Sequence, residues 1–509
     1  MKILRNFIII FFCFQFYFAK AQNESNIWYF GSYVGLDFST GSPVVLTQGL
    51  LNTTEGVATL CDKNGKLLFY TDGLTVWNRE HKVMNNGDNL KGNASSTQSA
   101  VAVPKPGSEN LFYLFTIARE ATDDGFCYSI VDMAAEGGMG KIVEKNKLLL
   151  TPVTEKITAV RHRNNKDVWI LTHGWNNNEF LAYLLTENGL NENPIKTNIG
   201  KVHGNDTDNS IGYMKSSPDG SQLAVAVKGL DLVELFDFDN ATGVFSNPLT
   251  FEFAAGALTY GVEFSPNGSF LYVTCGSENK VYQFNLQAGS DEAIKASKYE
   301  LAKTNGWAGA LQLAKDGKIY VSPYNSKYLD VIENPDAPGT ECRYVKEKID
   351  LLGKYCQLGF PTFLQSYFTK QVYEEKVNYF SEYTAANAKK KVEVNKNYIL
   401  KSVVFETAKS ILLPTAYKEL DLLINILKTN PTYVVEINGH TDNVGNKTYN
   451  LKLSQERAAS AMNYLKTKGI ALERMSAYGF GNSKPIASNE TEAGRQENRR
   501  VDFILKEKK

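Results

Sequence analysis

The feature that most constrains this chain is a strand–turn–strand unit that recurs along residues 22–368. Each unit pairs a short apolar strand with a second apolar or aromatic strand across a tight turn, as at Ser217-Pro218-Asp219-Gly220. Asp-Gly and Asn-Gly suit two-residue hairpins because both positions can adopt positive φ. The turns are 42 to 58 residues apart and contain Gly65, Gly107, Asn165, Gly220, Gly268 and Gly317. A period of this length predicts the blades of a β-propeller.

The strands around these units set the number of blades. Each unit is followed by two further strand-like runs, such as residues 233–238 and 248–251, which gives four strands per unit. Six units fit between residues 55 and 352, and apolar runs are left over at both ends: residues 27–30, 36–38, 44–46 and 358–364. We predict that these runs form one composite blade that closes a seven-bladed ring. Six or eight blades, or two stacked β-sandwiches, are the alternatives.

Residues 1–21 have the pattern of a secretory signal peptide. Lys2 and Arg5 precede an apolar run over residues 7–18, and Ala19-Lys20-Ala21 offers small residues for cleavage. Cys13 lies inside the apolar run, so we predict no lipid anchor there. No other segment approaches the roughly 18 apolar residues of a membrane-spanning helix. We therefore expect an exported, periplasmic protein without a direct membrane span.

Five cysteines follow the predicted signal peptide: Cys61, Cys127, Cys275, Cys342 and Cys356. Disulfides are permitted in an exported chain, and Cys342 and Cys356 are close in sequence in what we interpret as neighbouring strands. This pair is the predicted disulfide, and the alternative is that all five are buried thiols. There is no Cys-x-x-Cys and no zinc-ligand spacing, so no metal site and no cofactor are predicted.

The two parts of the chain differ in charge. Residues 22–368 carry 29 Lys+Arg and 39 Asp+Glu, whereas residues 369–509 carry 23 and 16. This asymmetry favours two independently folding units with different partners. Neither part has a phosphate-binding loop or a Gly-x-Ser-x-Gly motif, and we expect no nucleic-acid partner and no catalytic residues.

Residues 398–509 alternate predicted strands with two long helices, which favours an α/β sandwich. Strands are predicted around residues 399–405, 434–437, 475–478 and 501–505, one helix opens at Leu413-Pro414, and Ser454 is the predicted N-cap of the second. Residues 369–397, which include Lys389-Lys390-Lys391, are predicted to be a connector. Multiple domains are therefore expected: an all-β propeller, a connector and an α/β sandwich.

One pair of charges stands out in this last region. Asp442 comes just after the strand that ends near Ile437, and Arg457 is placed in the first turn of the helix capped by Ser454, 15 residues later. Opposite charges fixed on two rigid elements suit a small zwitterion better than a metal or a phosphate. The helix N-terminus would add backbone N–H donors for a carboxylate.

This region resembles the OmpA-like C-terminal domain, a peptidoglycan-binding module. The resemblance rests on Ile437-Asn438-Gly439-His440-Thr441-Asp442, Asn450, Ser454-Gln455-Glu456-Arg457 and Asn498-Arg499-Arg500-Val501. It implies that Asp442 accepts a hydrogen bond from the ammonium of diaminopimelate and that Arg457 donates two parallel hydrogen bonds to its carboxylate. It further implies that Thr441 and Asn450 shape the pocket, that Phe405 forms its floor, and that Arg500 orients the pocket or supports the fold.

The Ser-Pro-Asp-Gly turns resemble those of WD-type and lactonase-type propellers, and residues 69–78 look like a propeller of exported Bacteroidetes proteins. This architecture implies a non-catalytic adaptor that binds the cell wall and presents its propeller to an unknown protein, by analogy a type IX secretion or gliding assembly at the outer membrane. The alternatives are a wall-anchored propeller hydrolase or lactonase and a glycan-binding propeller. For the enzyme, His162, His173 and His203 fall within one stretch, and His162 and His173 flank a predicted hairpin that would place them on one propeller face.

Overall fold

The computed structural model describes residues 23–368, 378–380, 392, 394, 396–400, 405, 409–486, 489 and 492–507. The predicted signal peptide, residues 1–21, and most of the predicted connector, residues 369–397, lie outside these residues. Within the described ranges, no helix is both long and apolar enough to cross a membrane.

Seven antiparallel sheets follow one another along residues 27–350, each built from consecutive strands. The first three are β1 Ile27–Phe30, β2 Val34–Asp37 and β3 Val44–Leu46; β4 Ala58–Cys61, β5 Leu67–Thr71 and β6 Val76–Asn78; and β7 Ala100–Pro104, β8 Leu111–Ile117, β9 Phe126–Asp132 and β10 Lys141–Leu150. The fourth is β11 Val153–Arg161, β12 Val168–Gly174, β13 Asn177–Thr186, β14 Gly189–Leu190 and β15 Ile195–His203.

The last three sheets are four-stranded, and they complete the propeller. They are β16 Met214–Ser216, β17 Gln222–Val227, β18 Leu232–Asp239 and β19 Val244–Glu252; β20 Thr259–Phe264, β21 Phe270–Cys275, β22 Lys280–Asn285 and β23 Tyr299–Lys303, with helix α1 Asp291–Ala296 before β23; and β24 Ala308–Leu313, β25 Ile319–Pro323, β26 Tyr328–Ile332 and β27 Tyr344–Asp350. The first strands of consecutive sheets pack against each other in order, which confirms the propeller over two stacked sandwiches.

The hairpin turns that revealed the repeat differ from the expected two-residue type, because φ is positive at the second residue of each pair and not at Asp219, Asn267 or Asn164. Gly220 and Gly268 both have φ of 71°, and Asn165 has φ of 57°. These are left-handed values, which glycine adopts without strain and asparagine tolerates. Each of these turns therefore needs one left-handed residue rather than two, and the spacing of the turns still marks the blades.

The ring closes differently from the prediction. Residues 358–364 do not pair with β1 to complete the first sheet. The backbone N–H of Leu358 donates to Thr54 O (2.8 Å), its carbonyl accepts from Ala310 N (2.8 Å), and Thr362 N donates to Val57 O (2.9 Å). Leu364 forms a parallel bridge with Ala159, in β11. The segment thus joins the inner strands of several blades, which places it in the central channel.

We call residues 358–366 the channel segment. Further along it, Phe360 N donates to the Tyr213 hydroxyl (3.1 Å), Gln365 Nε2 lies 3.4 Å from Glu263 Oε1, and Arg161 Nε donates to Ser366 Oγ (3.3 Å). Phe360 is fully buried, with its ring centroid 5.0 Å from that of Phe30. The segment enters the channel beside the starts of the inner strands and leaves beside their ends.

The predicted Cys342–Cys356 disulfide is wrong. Both thiols are free and buried. Strand β27 lies between the two residues in sequence, and its seven residues span about 20 Å. Cys342 lies beside Tyr272, whereas Cys356 Sγ is 3.0 Å from Pro323 O, so the two side chains face different surroundings.

The C-terminal part contains a five-stranded sheet in the order β28-β29-β32-β30-β31 and three α-helices among its described residues. The strands are β28 Asn378–Tyr379, β29 Asn397–Leu400, β30 Tyr433–Gly439, β31 Met475–Gly479 and β32 Val501–Glu507; the helices are α2 Tyr417–Thr429, α3 Lys447–Thr467 and α4 Glu492–Asn498. Buried side chains of α2, α3 and the sheet, such as Leu423, Ala461 and Ile437, share one core. The predicted α/β sandwich is confirmed.

Helix α3 begins earlier than predicted. Its N-cap is Asn446, whose Oδ1 accepts from Tyr449 N (2.7 Å), and Ser454 lies in the third turn. The Ser454 hydroxyl instead donates to Leu451 O (2.7 Å) and accepts from Gly481 N (2.8 Å). Ser454 therefore ties α3 to the loop after β31, and Arg457 is not in a first turn.

Candidate binding site of the C-terminal domain

Asp442 lies in the loop after β30 and is almost fully buried, with 7% of the residue exposed. Its Oδ1 accepts from Val444 N (3.0 Å), and its Oδ2 accepts from Arg499 Nη1 (2.5 Å). Thr441 holds the same loop, because its N–H donates to Gly481 O (2.8 Å) and its hydroxyl to Asp442 O (2.9 Å). The carboxylate is therefore oriented by protein groups on two sides.

Asn450 anchors this loop to α3. It is 1% exposed, and its Nδ2 donates to Asp442 O (3.3 Å) and Val444 O (3.1 Å). An amide has two N–H donors and can bridge two carbonyls in this way. The structure thus brings Thr441 and Asn450 to Asp442.

Arg457 projects from the middle of α3 toward the same region. Its Nε donates to Lys409 O (3.1 Å), and its guanidinium carbon is 5.1 Å from the Phe405 ring centroid. Burial lowers the pKa of Arg457, and the nearby Asp442 charge partly opposes that shift. Among the described residues, its Nη groups have no hydrogen-bond partner, so they are available to a ligand.

Arg499 is a site residue that the sequence analysis missed. It pairs with Asp442, while the neighbouring Arg500 places Nε 3.2 Å from Asp502 Oδ2 and donates through Nη1 to Lys484 O (3.0 Å). Arg499 lies at the end of α4, where its N–H donates to Arg495 O (3.0 Å), and Arg500 directly precedes β32. The paired arginines in Asn498-Arg499-Arg500-Val501 were the available signal, but the sequence does not say which of the two faces Asp442. Arg500 supports the fold.

A buried polar network lies beneath the loop. His440 Nε2 is 2.9 Å from Asp502 Oδ2, and Asn438 Nδ2 donates to Asp502 Oδ1 (3.1 Å). Burial lowers the pKa of His440. Burial alone would raise the pKa of Asp502, but His440 and Arg500 bring it below its ordinary value. The network fixes the strand ends from which the loop starts.

Together, the site holds one carboxylate from the loop after β30 and two guanidiniums, one from the middle of α3 and one from the residues between α4 and β32. No group of three or more metal-binding side chains exists among the residues that the structure describes. The arrangement can bind a ligand that carries an ammonium and a carboxylate, by charge-assisted hydrogen bonds.

The propeller histidines do not converge on one site. His173 and His203 stack with ring centroids 3.7 Å apart and are fully buried, and burial lowers the pKa of His173 to about 3. His162 lies in a hairpin, with Nε2 3.0 Å from Ala241 O. The two stacked rings behave as neutral core residues.

Two buried carboxyl groups lie at the mouth of the propeller channel. Glu155 accepts from Thr97 N (2.8 Å), from the Thr97 hydroxyl (2.7 Å) and from Glu120 N (2.8 Å). Glu55 accepts from the Tyr260 hydroxyl (3.1 Å), and burial, with the Glu155 charge, raises the pKa of Glu55 to about 8. Burial also lowers the pKa of Lys156 to about 7.

Comparisons with known proteins divide the chain in the same way. Residues 404–499 match the model of the OmpA family, and residues 156–331 match that of the lactonase, seven-bladed β-propeller family. Outer membrane porin F of Pseudomonas fluorescens is 43% identical over 100 residues, which is 20% of this chain and 31% of the porin. The peptidoglycan-binding protein ArfA of Mycobacterium tuberculosis is 38% identical over 103 residues, 20% of this chain and 32% of ArfA.

A solved structure, the peptidoglycan-associated lipoprotein from Burkholderia pseudomallei, is 30% identical and covers 20% of this chain and 86% of its own, with a TM-score of 0.19. The match spans about a third of the length of the two curated relatives described above. The chain therefore joins an N-terminal propeller that matches the seven-bladed lactonase type to a C-terminal domain of the OmpA family.

Proposed function

We propose that the C-terminal domain binds peptidoglycan non-covalently, through the zwitterionic end of diaminopimelate. The observation that carries the proposal is the convergence of buried Asp442 and Arg457, each held by protein contacts that leave part of its polar group available. The names of two similar proteins support it, since one is a peptidoglycan-binding protein and the other a peptidoglycan-associated lipoprotein.

Each charge has a distinct task in this proposal. Asp442 accepts from the ligand ammonium, and the Nη groups of Arg457 donate to the carboxylate as a planar fork. Lys409 O and the Phe405 ring orient that fork. Because Arg499 already pairs with Asp442, the ammonium approaches the carboxylate from another side, and Arg499 gives the pocket a net positive charge that favours anionic ligand groups.

We assign roles to the rest of the chain from this proposed binding of the cell wall. We propose a signal peptide over residues 1–21, a propeller over 22–368, a connector over 369–397 and a wall-binding domain over 398–509. The relatedness to an outer membrane porin supports a location in the envelope, and we assign the protein to the periplasm between wall and outer membrane. The propeller is then a non-catalytic platform for a protein partner, by architecture an outer-membrane secretion or gliding assembly.

A second candidate function rests on a specific observation, the Glu55–Glu155 pair beside Tyr260. Carboxyl groups with unequal environments can serve as acid and base, and the lactonase-type match over residues 156–331 begins next to Glu155 and includes Tyr260. Against it, the Glu155 side chain is fully buried and accepts three hydrogen bonds from Thr97 and Glu120, and the channel segment lies along the axis. Lactone hydrolysis that is lost in Glu55→Gln would favour this alternative.

The decisive experiment is a pull-down of the mature protein on purified peptidoglycan. Each lost charge-assisted contact should weaken binding about tenfold or more, so Asp442→Ala and Arg457→Ala should lose binding. Lys452→Ala, an exposed change on the same helix, should bind like the wild type.

Competition sharpens the test. Free meso-diaminopimelate should displace the protein from peptidoglycan, whereas cadaverine, a diamine of the same chain length between its amines that lacks both carboxylates, should not. The proposed mode of recognition would be rejected if binding survived both Asp442→Ala and Arg457→Ala, or if cadaverine competed as well as meso-diaminopimelate.

A further inference from the structure

An exposed aromatic and aliphatic surface lies where the last blade meets the first. We call it the seam patch: Tyr33, Leu50, Tyr324, Leu352 and Tyr355, with Lys327 and Lys354. Backbone hydrogen bonds join its loops, since Ser32 N donates to Tyr355 O (2.9 Å), Tyr33 N to Leu51 O (2.8 Å) and Cys356 N to Ser326 O (2.9 Å). The patch is therefore one continuous surface, built from loops that are far apart in sequence.

The apolar side chains of the seam patch are unusually open to solvent. The exposed fractions are 43% for Tyr33, 51% for Leu50, 45% for Tyr324 and 65% for Leu352. Tyr33 and Leu352 also adopt left-handed backbone, with φ of 59° and 54°, which is rare for bulky residues and costs roughly 1–3 kcal/mol each. Contiguous exposed apolar groups on an otherwise polar surface mark interaction sites.

The charge of the seam patch is opposite to that of its surroundings. Lys354 Nζ is 5.6 Å from the Tyr33 ring centroid, and Lys327 Nζ is 5.4 Å from that of Tyr355. Neither ammonium forms an ion pair within the described residues. The four loops, residues 31–34, 50–52, 324–328 and 351–356, contain no Asp or Glu, although residues 22–368 have ten more acidic than basic residues. This contrast predicts a partner that supplies carboxylates.

The course of the chain leaves the seam patch accessible. Tyr355 lies just before the channel segment, at the end where the segment enters. The segment leaves at the opposite end, where Ser366 Oγ accepts from Arg161 Nε. The chain toward the C-terminal domain therefore departs from the face opposite the patch.

We propose that the seam patch is the docking surface for a protein segment that presents apolar side chains flanked by carboxylates. The proposal rests on the adaptor role of the propeller described above. Tyrosine rings supply large contact area, and the lysines select acidic neighbours and steer their approach.

The test is site-specific photo-crosslinking in the full-length protein, produced in its own cells. p-Benzoylphenylalanine replaces Tyr324 in the patch, and replaces Tyr299, which is 40% exposed on the outer strand β23, as the matched control. The crosslinked peptide is identified by mass spectrometry. A second sample combines the Tyr324 probe with Lys327→Glu and Lys354→Glu, and circular dichroism checks that it is folded.

The expected result is a crosslink at position 324 to a peptide that has net negative charge and contains apolar residues. The yield of this crosslink should fall about tenfold when Lys327→Glu and Lys354→Glu are introduced. A crosslink no stronger than that at position 299 would overturn the proposal. So would a crosslink to glycan, to a second copy of this chain or to an uncharged peptide, or insensitivity to charge reversal. The same variants should bind peptidoglycan in a pull-down as well as the wild type does. A failure of the proposed wall binding would therefore be distinguished from a failure of the docking proposal.

Discussion

Asp442 is constrained at several points before any ligand arrives. Its carboxylate is held by Val444 N and Arg499, and its own carbonyl accepts from both Thr441 and Asn450. A charged group fixed in this way loses little conformational entropy on binding. The affinity of the site should therefore depend on residues that never touch the ligand.

Asn450→Ala tests whether a residue that does not touch the ligand controls the affinity of the site. The change leaves the carbonyls of Asp442 and Val444 without their amide donor, and we expect a loss of about 1–3 kcal/mol in the stability of the C-terminal domain. Urea unfolding followed by circular dichroism measures it, and peptidoglycan binding should weaken in parallel. Asn425→Ala, exposed on α2, is the matched control; equal effects of the two changes would contradict the anchoring role.

The sequence could group Asp442, Arg457, Thr441 and Asn450 as one predicted site, because all four belong to one short stretch with a recognisable pattern. It could not locate Arg499. That residue is 57 positions from Asp442, and which of two adjacent arginines faces the site depends on where β32 starts.

Glu55 gives a pH-dependent prediction. Its folded pKa is about 8, above the ordinary value of 4.5, so its contribution to stability is present below pH 4.5 and is lost as the pH rises toward 8. Glu55→Gln mimics the protonated acid. We expect the variant to gain stability over the wild type by up to about 1.4 kcal/mol per pH unit in this window.

Urea unfolding at pH 5 and pH 8 measures the difference. Tryptophan fluorescence is the suitable signal, because all five tryptophans lie between residues 28 and 307. Glu109→Gln, an exposed change, should show no such trend. A gain for Glu55→Gln that does not grow with pH would mean that Glu55 is ionised in the folded protein.

At the level of elements, the start of α3 changes how the site works. With its N-cap at Asn446 rather than Ser454, the helix places Arg457 about ten residues, or roughly 15 Å, from its N-terminus. Free N–H groups at a helix start therefore lie too far away to bind the same carboxylate. Both Ser454 and Asn446 are good caps by type, and only the tertiary contact of Ser454 with Gly481 distinguishes them.

The close approach of α3 to the sheet gives an element-level prediction. A Cβ at Gly439 would lie 2.1 Å from Ser454 O, which is backbone and cannot move aside. Gly439→Ala should therefore push β30 from α3 and cost about 1–3 kcal/mol, with loss of peptidoglycan binding because Asp442 follows β30. Circular dichroism at 222 nm during urea unfolding reports on the helices; stability equal to that of Lys452→Ala would contradict this packing argument.

At the level of the whole molecule, the repeat predicted the propeller but not how the ring closes. The spacing of turns revealed the blades, since each blade is a local unit. The channel segment makes its hydrogen bonds to Thr54, Val57 and Ala310, which belong to different blades. No local pattern encodes these partners, so the sequence placed residues 358–364 in the first sheet.

The last prediction follows from that closure. Phe360 is fully buried between Trp28 and Phe30, with ring centroids 5.6 Å and 5.0 Å away, and Phe360→Ala should lower the unfolding free energy of the propeller by about 3–5 kcal/mol. The midpoint of the unfolding transition followed by tryptophan fluorescence should move to a lower urea concentration. Peptidoglycan binding by the C-terminal domain should stay as in the wild type. Tyr299→Ala, an exposed aromatic change, should move neither. If Phe360→Ala left the tryptophan transition in place, the channel segment would not be what holds the first and last blades together, and the ring would have to be stable on the contacts between neighbouring blades alone.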